Sequence, residues 1–252
     1  MDEQKYNLDQ SLAELDKLVD LSTKEIDRTA CESLAEKARI IYEQYPESED
    51  IALRYAMILV KLSAKQTELN EREATVAKLQ ALHERFPDSP IIAEAYARIL
   101  FKLSAKQTEL KEIEATVEKI QVLQQQFPES PDIPLRYARI LFNLAAEQTE
   151  LKELETTAEK LRQQFQDSHN IALQYAWILF NLSTEQTELK ELETTAEKLE
   201  KLQQQFQDSH DIALQYAWIL FNLSTVQTEL KERKATAEKL EKLQQQFQDS
   251  HD

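Results

Sequence analysis

The feature that most constrains this chain is its period. One tyrosine in an apolar stretch recurs at Tyr55, Tyr96, Tyr137, Tyr175 and Tyr216, with gaps of 41, 41, 38 and 41 residues. The string DSHNIALQYAWILFNLST, Asp167 to Thr184, returns almost unchanged from Asp208 to Thr225. A repeat of this length is one supersecondary unit. It cannot bury its apolar face alone and must stack on its neighbours. The short gap arises where KLRQQF (Lys160 to Phe165) stands for KLEKLQQQF (Lys198 to Phe206). Residues 7–47 follow the pattern loosely, with Leu21-Ser22 in place of Leu62-Ser63 and Tyr45-Pro46 in place of Phe86-Pro87. They read as a degenerate N-terminal capping repeat before full units at 48–88, 89–129, 130–167, 168–208 and 209–249. The expected organisation is a single repeat domain over 1–252.

Each unit reads as two helices. The chain contains no glycine, which hairpins, bulges and tight α/β turns need, and it is rich in Ala, Leu, Glu, Lys and Gln. An all-α fold follows. The first helix of a unit, helix A, opens on a serine N-cap, followed by proline at Ser89-Pro90 and Ser130-Pro131. Ser63, Ser104, Ser183 and Ser224, each three residues before a glutamine, fit a capping box that would start helix B. Helix B is amphipathic, as in Leu230, Arg233, Ala237, Leu240, Leu243 and Phe247, and stops at FPES, FPDS or FQDS. Helix A is apolar almost all round, so it must be covered on most sides by its own helix B and the next pair.

Tandem helix–turn–helix units, alternating aromatic and small residues along helix A, and Pro46, Pro87 and Pro128 at the ends of helix B make the whole chain similar to tetratricopeptide (TPR) repeats. The resemblance implies a right-handed α-solenoid of antiparallel helix pairs, a TPR-like superhelix. The unit departs from the family in being 41 residues rather than 34, about two extra helical turns, and in lacking the family's helix A glycine. HEAT-type repeats, of similar period, are the architectural alternative.

One row of helix A escapes the apolar pattern. At 100° per residue, the positions five and one before the tyrosine and two and six after it share a side. In the first three full units the row holds Asp50, Arg54, Met57 and Lys61; Ile91, Ala95, Arg98 and Lys102; then Asp132, Arg136, Arg139 and Asn143. In the last two it holds Asn170, Gln174, Trp177 and Asn181, then Asp211, Gln215, Trp218 and Asn222. The resemblance places helix A on the concave groove of the superhelix. The row is therefore expected to bind an extended, partly acidic peptide or protein segment. Arg and Lys would pair with carboxylates, Trp would give flat apolar area, and Gln and Asn would bond the ligand backbone. The competing reading is that the arginines pair with neighbouring acidic residues and the tryptophans pack on adjacent helices.

Other chemistry is argued against. Without glycine there is no P-loop, dinucleotide fingerprint or G-x-S-x-G elbow. His169, His210 and His251 fall one repeat apart, roughly 10 Å, too far to share a metal. His83 stands alone on helix B, and Cys31, the single cysteine, has no histidine near it in sequence. We expect no enzyme, no cofactor and no bound metal. A net charge of −16 argues against nucleic acid and anionic membrane as partners. No stretch nears the roughly 20 apolar residues of a membrane span, and the acidic start MDEQKYNLDQ has no apolar run after it. A cytoplasmic protein is expected. Leu240, Leu243 and Phe247 on the last helix B would lack the cover their equivalents have. They mark a possible self-association surface, and a homo-oligomer is the second functional reading.

Overall fold

A computed structural model describes residues 2–24, 27–147 and 151–248, with side chains for 7–24, 27–144, 155–156 and 158–246. Twelve α-helices follow one another: α1 (Asp2–Thr23), α2 (Arg28–Gln44), α3 (Glu49–Lys65), α4 (Leu69–Arg85), α5 (Pro90–Ser104), α6 (Leu110–Gln126), α7 (Asp132–Glu147), α8 (Leu151–Gln164), α9 (His169–Glu185), α10 (Leu189–Gln205), α11 (His210–Val226) and α12 (Leu230–Gln248). No strand occurs among the described residues. The fold is all-α and built from tandem helix pairs. His251 lies outside the described residues, as does the side chain of Phe247.

Packing follows the pair rule. Helix α3 contacts α1, α2, α4 and α5, and α11 contacts α9, α10 and α12. An A helix thus meets its own B helix, the preceding B helix and neighbouring A helices, which is why its sequence is apolar on most sides. Ile51, Ala52, Ile58 and Leu59 of α3 are 1% exposed or less, as are Ile92, Ala93, Ile99 and Leu100 of α5. Each fully buried Ile or Leu contributes about 1.5–3 kcal/mol of transfer free energy. The chain divides into two compact units, Met1–Ile140 and Leu141–Asp252, with the boundary inside α7. The 38-residue repeat supplies α8, which has 14 residues where α4, α6 and α10 have 17.

The turn from helix B to the next helix A depends on an aromatic residue and a serine rather than on proline. Phe86 and Phe127, each before a proline, and Phe206, before a glutamine, close their helices with φ between −124° and −118° and ψ between 58° and 64°. Ser89, Ser130 and Ser209 then donate their backbone N–H to the carbonyls of Phe86, Phe127 and Phe206 at 3.2, 3.2 and 2.9 Å. Ser48 and Ser168 cap their helices through the side-chain oxygen, accepting from Ile51 N at 3.4 Å and Ile171 N at 3.5 Å.

The turn from A to B corrects the capping-box reading. Ser63 and Ser183 lie inside helix A, and their hydroxyls donate back to the carbonyls of Val60 and Phe180 at 2.9 and 2.7 Å. The N-caps of α4, α6 and α10 are Glu68, Glu109 and Glu188, none with a side-chain cap hydrogen bond. The glutamine of each supposed box does something else. Gln66, Gln107, Gln186 and Gln227 accept at Oε1 from the hydroxyls of Thr75, Thr116, Thr195 and Thr236, at 2.9–3.0 Å. A Ser/Thr–x–x–Gln pattern read from sequence does not distinguish a helix start from a helix end. The partner nine residues on makes the glutamine part of a buried pin holding A to B.

Candidate functional site

The row on helix A is where these helices remain open, though not evenly. Met57, Lys61, Ile91, Arg98 and Trp218 are exposed. Arg54, Lys102, Arg136, Arg139, Asn143, Gln174, Trp177, Asn181 and Asn222 are half-buried. Gln215 departs from the expectation, being only 2% exposed. It is buried and offers no amide to an incoming chain.

Within Met1–Ile140 the row is cationic. Arg54 is already engaged, donating from Nε to Asp16 at 2.6 Å with Asp50 at 3.8 Å, so the ion-pair reading holds for this residue. Arg98 and Arg136 share one oxygen, Asp132 Oδ2, at 3.4 and 3.1 Å. Arg139 lies over the Phe101 ring, 5.7 Å from its centroid. Lys102 follows Arg98 by four residues on α5, and its carbonyl accepts from Arg72 Nη1 at 2.7 Å. Burial pushes the Lys102 ammonium below the usual lysine range, and the charges of Arg72, Arg98, Arg136 and Lys61 push it further. Burial likewise lowers Arg136 against the support of Asp132. At Asp132 burial works to raise the carboxyl, but Arg136 and Arg98 outweigh it and hold the group low.

Within Leu141–Asp252 the same positions are aromatic and amide-bearing. Trp177 sits between Phe142, ring centroids 5.9 Å apart, and Phe180, 6.0 Å and edge-on. Trp218 makes the corresponding edge contact with Phe221 at 6.1 Å, and these two rings are 50% and 53% exposed. Asn222 Nδ2 donates to Ser183 Oγ at 3.3 Å, one repeat back, which ties part of its amide to neighbouring structure.

The phenylalanine five residues after the tyrosine belongs to the apolar pattern of helix A, most of which is buried. Phe101, Phe142 and Phe180 are half-buried instead, and the first two carry the row residues Arg139 and Trp177 of the following repeat. Recurrence of Phe at one fixed offset in four units was the available signal. Its meaning needed the packing of A helices side by side.

Near the chain's last pair, His210, Ala213, Leu214, Ala217, Leu240, Glu241, Leu243 and Gln244 line a cavity of about 380 Å³. Leu240 there is half-buried and Leu243 is 8% exposed, since α12 folds them toward α11. Phe247, the third residue expected on this surface, lies outside the described side chains.

The residues weighed for other chemistry take structural positions. Burial raises the Cys31 thiol and so disfavours the thiolate. His83 packs beside the rings of Tyr96 and Phe127, and burial lowers it. His169 Nε2 lies 2.7 Å from Ser209 Oγ, its ring edge-on to Phe206, so it braces the next repeat's turn. Among the described residues no three His, Cys, Asp or Glu side chains group as metal ligands. No described helix is long and apolar enough to cross a membrane.

No protein-family model matches this chain. No curated protein matches it either. Among solved structures it is similar to a chain described as "Computational Design of Self-Assembling Cyclic Protein Homooligomers". That chain is 11% identical, with 96% of this chain and 92% of that one covered, at a TM-score of 0.22. A likeness at that score supports no conclusion about shape, assembly or function.

Proposed function

We propose that this is a non-enzymatic protein-interaction scaffold of the elongated, 41-residue TPR-like kind, and that it holds an extended acidic segment along the row of helix A. One observation carries the reading. A chain of net charge −16 presents Lys61, Arg98, Lys102, Arg136 and Arg139 at one row of three successive A helices, and among the described residues Asp132 is the carboxylate that pairs with members of this group. Unrelieved like charge lowers stability, so an anionic partner gives the row a reason to exist. Trp177 and Trp218, at the equivalent positions of Leu141–Asp252, give that unit a surface suited to apolar side chains of a protein segment.

The test is a fluorescently labelled Asp/Glu-rich peptide titrated against the full chain at low and physiological salt. Binding that weakens with salt and drops at least tenfold in Arg98→Glu/Arg139→Glu is expected. An acidic peptide that does not bind, or binds both proteins alike, overturns the reading.

Self-association through α11 and α12 is a second reading, favoured by the exposure of Leu214, Trp218, Phe221 and Leu230 at 44%, 50%, 53% and 68%. Leu214, Trp218 and Phe221 fall on one face of α11, and exposed apolar side chains on a free surface promote association. Sedimentation over a concentration series tests it: a Leu214→Asp/Phe221→Asp chain remains a monomer where the wild type associates. A wild type that stays monomeric throughout ends this reading.

A further inference from the structure

The cationic row is not uniform, and its densest part has a chemistry of its own. Most arginines of the first compact unit outside that part meet carboxylates. Arg28 pairs with Glu32 and Glu71, Arg39 with Glu36 and Glu43, Arg54 with Asp16 and Asp50, and Arg85 with Glu47. Around Lys102 the pattern breaks. Arg98 and Arg136 share a single oxygen of Asp132. Arg72 spends its guanidinium on the carbonyls of Gln66 and Lys102. No carboxylate among the described residues pairs with Lys102 or Lys61.

Lys102 thus stands one turn from Arg98 on α5 with Arg72 on its carbonyl, and Arg72, Arg98, Arg136 and Lys61 all act on its ammonium, while Asp132 answers only Arg98 and Arg136. Nor is this a loose surface fringe, since the Arg136 side chain is only 13% exposed and its Nε is buried without an acceptor. Such an arrangement costs folding free energy, because burial and like charge both disfavour the ionised forms. In a chain with 46 acidic residues, further carboxylates could readily have neutralised it.

A monoanion leaves most of that charge unanswered. A carboxylate also offers two oxygens in one plane, whereas Lys61, Arg98 with Lys102, and Arg136 project from three different helices. A phosphoryl group carries nearly two charges and three acceptor oxygens arranged around phosphorus, which answers both the charge and the spread of donors. We propose that Lys61, Arg98, Lys102 and Arg136 form a subsite for a dianionic phosphoryl group, carried on a phosphorylated side chain of the bound segment. Asp132 is the internal anion that holds the two guanidiniums together in the absence of ligand. This rests on the reading of the row as a peptide site, but it can be tested apart from it.

The probe is free O-phospho-L-serine, with L-glutamate at matched ionic strength as control, and the readout is the thermal midpoint of the full chain. A ligand that binds only the folded state raises that midpoint with concentration. O-phospho-L-serine is expected to raise it by several degrees and glutamate to leave it unmoved. Lys102→Gln is expected to weaken the phosphoserine response at least tenfold in concentration, and the exposed Lys61→Gln to weaken it less. If Lys102→Gln does not fold, Lys61→Gln with Arg98→Gln serves in its place. Equal responses to phosphoserine and glutamate, no response, or a response unchanged in the variants overturn the subsite. A phosphoserine response with no binding of acidic peptides sinks the peptide groove and leaves the subsite standing. Peptide binding without a phosphoserine response does the reverse.

Discussion

The two compact units are both built from tandem helix pairs, and the row on helix A changes character from one to the other. Two residues after the tyrosine, Met1–Ile140 carries Met57, Arg98 and Arg139, while Leu141–Asp252 carries Trp177 and Trp218. Six residues after it the first unit has Lys61 and Lys102, and the second has Asn143, Asn181 and Asn222. The core beneath does not register the change: Ile99 and Leu100 are fully buried in one unit, as are Ile178 and Leu179 in the other. The row's chemistry thus varies over a constant core. In both units the +2 side chain rests on the phenylalanine of the preceding repeat, as a cation over Phe101 and as a ring against Phe142. One platform accepts either chemistry, since an aromatic face attracts cations and its edge packs on rings.

If the shared core is what the comparison claims, truncating it must hurt both units alike. Leu100→Ala and Leu179→Ala, each at a fully buried site, are expected to cost about 2–5 kcal/mol apiece in urea unfolding. A small loss in one unit and a large one in the other would show that the two are not built by the same rule.

Alkali offers a second way to press on the shared core. Burial raises the phenols of Tyr55, Tyr96 and Tyr137 to about 12 and those of Tyr175 and Tyr216 further still. These are acids whose folded form holds its proton longer than the unfolded chain, in which a tyrosine ionises near 10. Above that pH the unfolded state binds fewer protons than the folded one, so stability falls as pH rises. The stability they confer is complete below pH about 10 and is lost as pH rises through about 12. In a chain with Tyr6, Tyr42 and Tyr45 replaced by Phe, tyrosinate absorbance should therefore appear together with the loss of helical circular dichroism. Ionisation that precedes any loss of helix would contradict burial of these phenols.

The A–B pins should matter in both units by a smaller, equal amount. Thr116→Val and Thr195→Val each strand a glutamine Oε1 that accepted at 3.0 Å, at an expected cost of about 1–3 kcal/mol. Replacing the glutamine as well, as in Gln107→Leu/Thr116→Val, should recover most of the loss. No recovery would mean that the threonine methyl environment, not the hydrogen bond, set the cost.

The pins also mark what the chain disclosed in advance. The period, the helix pairs, the apolar A helices and the open row were legible because they rest on spacing and polarity, which a linear string records. The pins were not, since Gln66 caps the end of α3 and Thr75, nine residues on, lies inside α4. Neither was the burial of Gln215, whose type and position match the half-buried Gln174. The row itself could be located from sequence, but its charge pairing could not. That Arg54 is committed to Asp16, 38 residues away, while Lys102 pairs with no carboxylate among the described residues, depends on which side chains the packing brings together.

The smallest effect tests the row's claim to be a binding surface rather than a structural one. Lys102→Asn places in the first unit the residue found at the equivalent position of the second, Asn181. Removing a half-buried ammonium that burial, Arg72, Arg98, Arg136 and Lys61 all disfavour should stabilise the unliganded chain. The gain is expected to stay below about 1 kcal/mol, because solvent screens the repulsion and lysine's methylenes are lost with its charge. It should shrink further as added salt screens the repulsion that the mutation relieves. Asn181→Lys has no such ring of cations around it and should change stability less. A salt-independent loss at Lys102→Asn would mean that the lysine is held for packing. The cationic row would then need no ligand to explain it.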